Sequence, residues 1–252
     1  MNIIKKHRKS SKIRYIAKFI SIFLILSLLM GNIFIVTVNA ANTANVIQIS
    51  AGGSHTLILK SDGTVWAFGD NYYGELGDGM KNNNITCVQV AGLIDVTAIS
   101  AGYDFSMALK SDGTVLAWGD NSKGQLGDGT KTNKSTPVQV AGLSSVTAIS
   151  TGKYHSMALK SDGTIWTWGS DIYVVNSPTP MQMTGLTGMT AISTLGDTYY
   201  MALKSDGTVW TWGYNIYGFG DGTTTISSKP VQVTGLTGVT AISAGYDFGM
   251  AL

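Results

Sequence analysis

From Val46 onward the hydrophobic positions fall into short runs, and none of them keeps a helical period. One cycle reads "AISAG" at Ala98–Gly102, "FSMALK" at Phe105–Lys110, the turn "SDG", and "TVLAWG" at Thr114–Gly119. A loop of Gly, Asn and Asp follows, then "PVQV" at Pro137–Val140 and "GL". Such β-branched and aromatic runs with turn residues between them predict strands. The cycle then repeats. "SDGT" starts at Ser61, Ser111, Ser161 and Ser205, at intervals of 50, 50 and 44 residues, and "AIS" starts at Ala98, Ala148, Ala191 and Ala241. A fixed period of this length is the mark of a repeat architecture.

The pairs Asp62-Gly63, Asp112-Gly113, Asp162-Gly163 and Asp206-Gly207 each sit between two apolar runs, which predicts a hairpin. With a two-residue loop, Leu159 pairs with Trp166 and Met157 with Trp168 on a bulky face, and Ala158 and Thr167 share a small one. The same pairing joins Leu203 to Trp210, Met201 to Trp212, Leu59 to Trp66 and Leu57 to Phe68. A three-residue Ser-Asp-Gly loop with a bulge shifts every pair by one, and both registers stay open. In either case Trp66, Trp118, Trp168 and Trp212 are structural repeat positions. A unit of about four strands with two apolar faces predicts an all-β fold of stacked β-propeller blades. Solenoid coils are usually shorter, and strings of small sandwiches do not repeat so strictly.

The sharpest signature is "GDNSKGQLGDGT" at Gly119–Thr130, matched by "GDNYYGELGDGM" at Gly69–Met80 and "GYNIYGFGDGT" at Gly213–Thr223. With "TGKYHSMAL" at Thr151–Leu159, it resembles the repeat of the regulator of chromosome condensation family, in a bacterial secreted form. The resemblance covers about Val46–Leu252 and implies a propeller, most often of seven blades. About four units are present (47–97, 98–147, 148–190 and 191–240), with a cut unit at 241–252, so the ring is incomplete. The expectation is a fragment. The alternatives are an open arc, a four-blade ring or, for a complete chain, an oligomer.

Residues 1–40 differ from the rest. Seven Lys and Arg and no acid precede the apolar run Phe19–Val36, and "VNA" follows at Val38–Ala40. This predicts a signal peptide, or an N-terminal membrane anchor if it is not cleaved. Residues 41–252 are then expected to be extracellular or at the cell surface. They hold ten lysines, no arginine and fifteen acids, a formal charge of −5. That balance argues against nucleic-acid binding.

The chemistry-bearing residues read as structural. His55 and His155 share a slot with Phe105, Tyr199 and Phe248, which a metal ligand or general base would not tolerate. Asp70, Asp78, Asp120, Asp128 and Asp221 alternate with Gly at turns, where Asp serves the backbone rather than calcium. Cys87 stands where other units have Pro137, Pro180 and Pro230. No catalytic set, metal site or cofactor motif is expected. What varies between copies is the loops, rich in aromatics: Tyr72, Tyr73, Tyr103, Asp104, Lys153, Tyr154, Tyr173, Tyr199, Tyr217 and Tyr246. Copied strands supply the scaffold and varied loops are free to bind. The expectation is an exported, non-catalytic scaffold that holds an unidentified protein or cell-surface partner on one loop face. The competing readings are a secreted inhibitor of an extracellular enzyme and, further off, guanine-nucleotide exchange.

Overall fold

The structure is a computed structural model that describes residues 44–252 apart from 171–174, 215–217, 219 and 247. The leader therefore lies outside the described residues. Blade 1 is the meander β1 (Val46–Ala51), β2 (His55–Lys60), β3 (Val65–Gly69) and β4 (Asn84–Gln89). Blade 2 repeats it with β5 (Val96–Ala101), β6 (Phe105–Lys110), β7 (Val115–Gly119) and β8 (Lys134–Gln139). Blade 3 has β9 (Val146–Thr151), β10 (His155–Lys160), β11 (Ile165–Ser170) and β12 (Asn176–Gln182). Blade 4 has β13 (Met189–Leu195), β14 (Tyr199–Lys204), β15 (Val209–Gly213) and β16 (Ser227–Gln232). The pair β17 (Ile242–Ala244) and β18 (Gly249–Ala251) packs against blade 4. Blades 2, 3 and 4 each begin two residues before the unit boundaries read from the sequence.

The hairpin register is the shifted one. In blade 3, Lys160 N–H donates to Thr164 O and Gly163 N–H to Lys160 O, closing a three-residue loop on Ser161, Asp162 and Gly163. Gly163 takes φ +75°, the left-handed bulge position that a side chain would strain. Ala158 therefore faces Trp166, Ser156 faces Trp168, Leu159 faces Ile165 and Met157 faces Thr167. The two-residue pairing of Leu159 with Trp166 is thereby corrected. The blade 3 hairpin thus sets Trp beside Ala and Ser on one face, and Leu and Met beside Ile and Thr on the other; the other blades keep the register with substitutions, as where Trp66 faces Ile58 and Trp212 faces Tyr200.

The copied "SDGT" holds this loop. Asp162 Oδ1 accepts from Thr164 N (3.0 Å) and Oγ1 (2.6 Å), and Trp166 Nε1 donates to Thr164 Oγ1 at 3.2 Å. Blades 1 and 4 repeat it on Asp62 and Asp206. Asp drawing the Thr hydroxyl into the turn explains why a third residue joins the loop. Each corner also grips the next blade: Val96 N–H donates to Gly63 O, and Val146 N–H donates to Gly113 O.

The core lies between blades. The Leu and Met face of one blade meets the Trp and Ala face of the next. Trp168 and Ala158 of blade 3 bury against Phe105, Met107, Val115, Ala117, Leu126 and Val140. Trp118 and Ala108 do the same on Leu57, Leu59, Val65, Leu76 and Val90. Ala next to Trp leaves room for the facing Leu or Met, and Trp118, Trp168, Ala108, Ala158, Leu57 and Met107 are all fully buried.

Candidate functional site

Two sets of loops share one end of the blades. The loop between the first two strands of a blade is tied to the loop after its third strand. Asp70 N–H donates to Ser54 O, Asp120 N–H to Asp104 O, Ser170 N–H to Tyr154 O, and Tyr214 N–H to Thr198 O. Neighbouring blades are laced in the same way, Gly53 N–H to Tyr103 O and Lys153 N–H to Gly196 O. The "SDG" corners lie at the opposite ends of the strands, so the varied loops have an end to themselves.

Four of the residues singled out from the sequence meet there. Lys153 Nζ pairs with Asp197 Oδ1 at 3.1 Å, and the Tyr246 hydroxyl donates to Asp197 Oδ2 at 3.0 Å. The same ammonium lies 5.4 Å from the Tyr103 ring centre and 5.0 Å from that of Tyr154, within reach of both π faces. Its hydrogen bond to Asp197 pushes the Lys153 pKa up. Tyr103 and Tyr246 remain about half exposed, at 47% and 51%. Asp197 was not legible beforehand, because the copy "TLGDTYY" departs from the "AGYDFS" of blade 2.

Over blades 1 and 2, Tyr72 and Tyr73 pack edge to face at 4.9 Å, and Tyr72 is strongly exposed. Burial raises the Tyr73 pKa first, with Asp104 and Asp120 adding to it. Burial also raises the Asp104 carboxyl, helped by Asp120 and Asp70 and opposed by Lys153. Negative charge therefore gathers beside the two tyrosines.

Tyr199 is elsewhere. It is 6% exposed, at the head of β14, and faces Gly213 as His55 faces Gly69 and Phe105 faces Gly119. It is a plug of the blade and does not reach the loop surface, and its burial raises the phenol pKa. Tyr173 and Tyr217 lie outside the described residues. The histidines are also inside: His55 Nε2 pairs with Ser106 Oγ at 2.8 Å, and His155 Nε2 with Thr194 Oγ1 at 2.7 Å.

The Asp-rich loops serve their own backbone. Buried Asn121 donates through Nδ2 to Asp128 Oδ1 and Thr132 O, and its Oδ1 accepts from Leu126 N. Asn71 does the same with Asp78, Asn82 O and Leu76 N. Among the described residues no group of three or more His, Cys, Asp or Glu side chains is placed to hold a metal ion. A cavity of about 720 Å³ lies over blade 4, walled by Met201, Val209, Val233, Phe248 and Met250. These are strand-face side chains of the kind that pack between blades elsewhere, so the cavity reads as blade-packing surface.

The sequence model of the RCC1-like domain matches residues 38–252. The chain belongs to the RCC1-like domain family. Among solved structures, human WBSCR16 superposes with a TM-score of 0.73 at 25% identity, over 83% of this chain and 59% of that one. Yeast RCC1 (Prp20), solved bound to Kap60, superposes at 0.70 with 19% identity, over 83% and 54%. Prp20p of Saccharomyces cerevisiae, studied for its binding to Gsp1p and histones, gives 0.70 at 21%, over 83% and 56%. The chain thus spans somewhat over half the length of these proteins. The yeast likenesses speak for the RCC1-type propeller, and the four-stranded sheets are its blades.

Proposed function

We propose that this chain is an exported, non-catalytic scaffold of the RCC1-like family that binds a protein partner at the cell surface or outside the cell, through the loop end of its blades. The observation that carries the reading is the cluster in which Lys153 and Tyr246 bind Asp197 and the Lys153 ammonium also reaches the rings of Tyr103 and Tyr154, drawing loops of neighbouring blades together. Tyr gives large contact area at low entropy cost, and half-exposed rings braced by an ion pair are presented in a set orientation. The family supports protein binding, as Prp20 binds Kap60. Export rests on the basic and apolar leader.

The test is a pull-down from secreted and surface proteins with the wild-type chain and with a joint Tyr72→Ala, Tyr103→Ala and Tyr154→Ala variant. Loss of a saturable partner in the variant supports the loop face. A variant that keeps the same partner at the same affinity removes the loop end from the function. If that partner is a hydrolase, titrating its activity with the chain separates the inhibitor reading from an adhesive one.

A further inference from the structure

The outer strand of each blade, β4, β8, β12 or β16, has a strand neighbour on one side only. Such an edge pairs with any strand that reaches it, and natural sheets block it with proline or lysine. All four prolines of the chain lie here: Pro137 in β8, Pro178 and Pro180 in β12, and Pro230 in β16. β8 and β16 also carry Lys134 and Lys229. β4 runs Asn84, Ile85, Thr86, Cys87, Val88, Gln89, with neither a proline nor a charge.

The position of the missing proline is the exposed one. Val140, Met183 and Val233 each turn their N–H inward, to Val115 O, Ile165 O and Val209 O. Backbone groups alternate along a strand, so three residues earlier Pro137, Pro180 and Pro230 stand where an N–H would face outward. Val90 N–H donates to Val65 O in the same way, and the outward position of β4 is Cys87. The ladder to β3 pairs Gln89, Val88 and Asn84 and passes over Ile85, Thr86 and Cys87. Ile85 is 97% exposed, and Cys87 is exposed too. β8 and β12 have a further cover from the blade before: Gly79 N–H donates to Ser135 O, and Gly129 N–H to Pro178 O. Among the described residues no such bond covers β4.

We propose that β4 is an interface between two copies of this chain, paired edge to edge as antiparallel strands about a two-fold axis at Cys87. The strand itself selects this occupant. With the axis there, the outward N–H of each Cys87 donates to the other's carbonyl, and Ile85 comes opposite the partner copy's Gln89. From Asn84 to Gln89 there is no charge, so two copies meet without like-charge repulsion, and the exposed Ile85 is covered. The pairing runs along the outer side of blade 1 and leaves the loop end of both copies open. A surface carrying several partner molecules would then be held twice by one dimer.

The experiment is sedimentation velocity on the whole chain under reducing conditions, from about 1 to 500 µM, with C87P, C87S and T86K beside wild type. Wild type should pass from monomer to dimer as concentration rises. C87P installs the residue that the other three blades carry at this position, so the blade is kept and one N–H is lost from each strand. Its dissociation constant should rise about tenfold or more. T86K installs the charge that Lys229 brings to β16 and should weaken the dimer as well. C87S keeps the N–H and should dimerise like wild type, which separates strand pairing from thiol chemistry. Facing Cys87 residues would stand about 5.5 Å apart at Cα, within the span of a disulfide. With oxidised glutathione, two Cys87 thiols should exchange into one interchain disulfide, releasing two glutathione thiols, in wild type and far less in T86K. A chain that stays monomeric throughout overturns the proposal. So does a dimer that C87P and T86K leave unchanged, or one that C87S abolishes. No loop-end residue is altered and no partner is needed, so failure here is distinct from failure of the loop-face function.

Discussion

Trp118 and Glu75 stand 43 residues apart in neighbouring blades, and the indole N–H of the first donates to the backbone carbonyl of the second at 2.8 Å. Trp168 and Gln125 repeat the bond at 2.9 Å. Ser106 and Ser156 add a second donor to each carbonyl. The loop of one blade is thus read by the Trp and Ser of the next. Trp168→Phe keeps most of the packing and removes one of two donors, so urea unfolding should show a loss of about 1–2 kcal/mol. Gly127→Ala should cost more. Gly127 has φ +69°, and a Cβ there would lie 2.6 Å from Trp168 Nε1.

Ser145 and Asp95 take φ of +56° and +59° in the turns before β9 and β5, where Gly188 and Gly238 serve the next two turns. A left-handed L-residue costs about 1–2 kcal/mol, and part of this is recovered by glycine despite its greater freedom when unfolded. Ser145→Gly should therefore raise stability by about 0.5 kcal/mol, provided Ser161 N–H keeps its bond to residue 145 O. A lower unfolding midpoint would show that the turn is not strained.

Tyr200 occupies the position of Ser106 and Ser156 in blade 4. It is fully buried, stacked on Trp212 at 5.4 Å and 4.5 Å from the His155 ring. The third loop is shorter than the others, and Trp212 Nε1 has no partner among the described residues. The ring supplies contact where the other blades offer a carbonyl. Tyr200→Ser, which would suit blades 2 and 3, should lose about 3–5 kcal/mol here by opening a cavity. Ser156→Ala should lose only about 1 kcal/mol. Equal losses at the two positions would contradict this division.

His55 is neutral when folded, because burial lowers its pKa from 6.5 to about 4. The unfolded chain binds its proton first, so stability falls as pH drops from about 6.5 towards 4. His55→Phe places in the slot the residue that Phe105 already provides in blade 2. Its midpoint should change less with pH over that window than that of wild type. An unchanged acid slope would assign the loss to other groups.

The period of 50 residues, the four hairpins, the absence of helical periods and the RCC1-like motif could all be read along the chain, because repeats and turns are coded by neighbours in sequence. The three-dimensional arrangement decided which face each strand residue took. The Asp162 and Thr164 bonds draw a third residue into the corner, and a shift of one residue exchanges the partners of every Trp. Tertiary structure also separated Tyr103 and Tyr246, half exposed on the loop end, from Tyr199 and Tyr200, sealed inside blade 4. All four are the same residue in varied segments, and only what the adjacent blade places against them distinguishes surface from core. Asp197 joined the site for the same reason: its partners, Lys153 and Tyr246, come from loops 44 and 49 residues away that meet only when the blades stack.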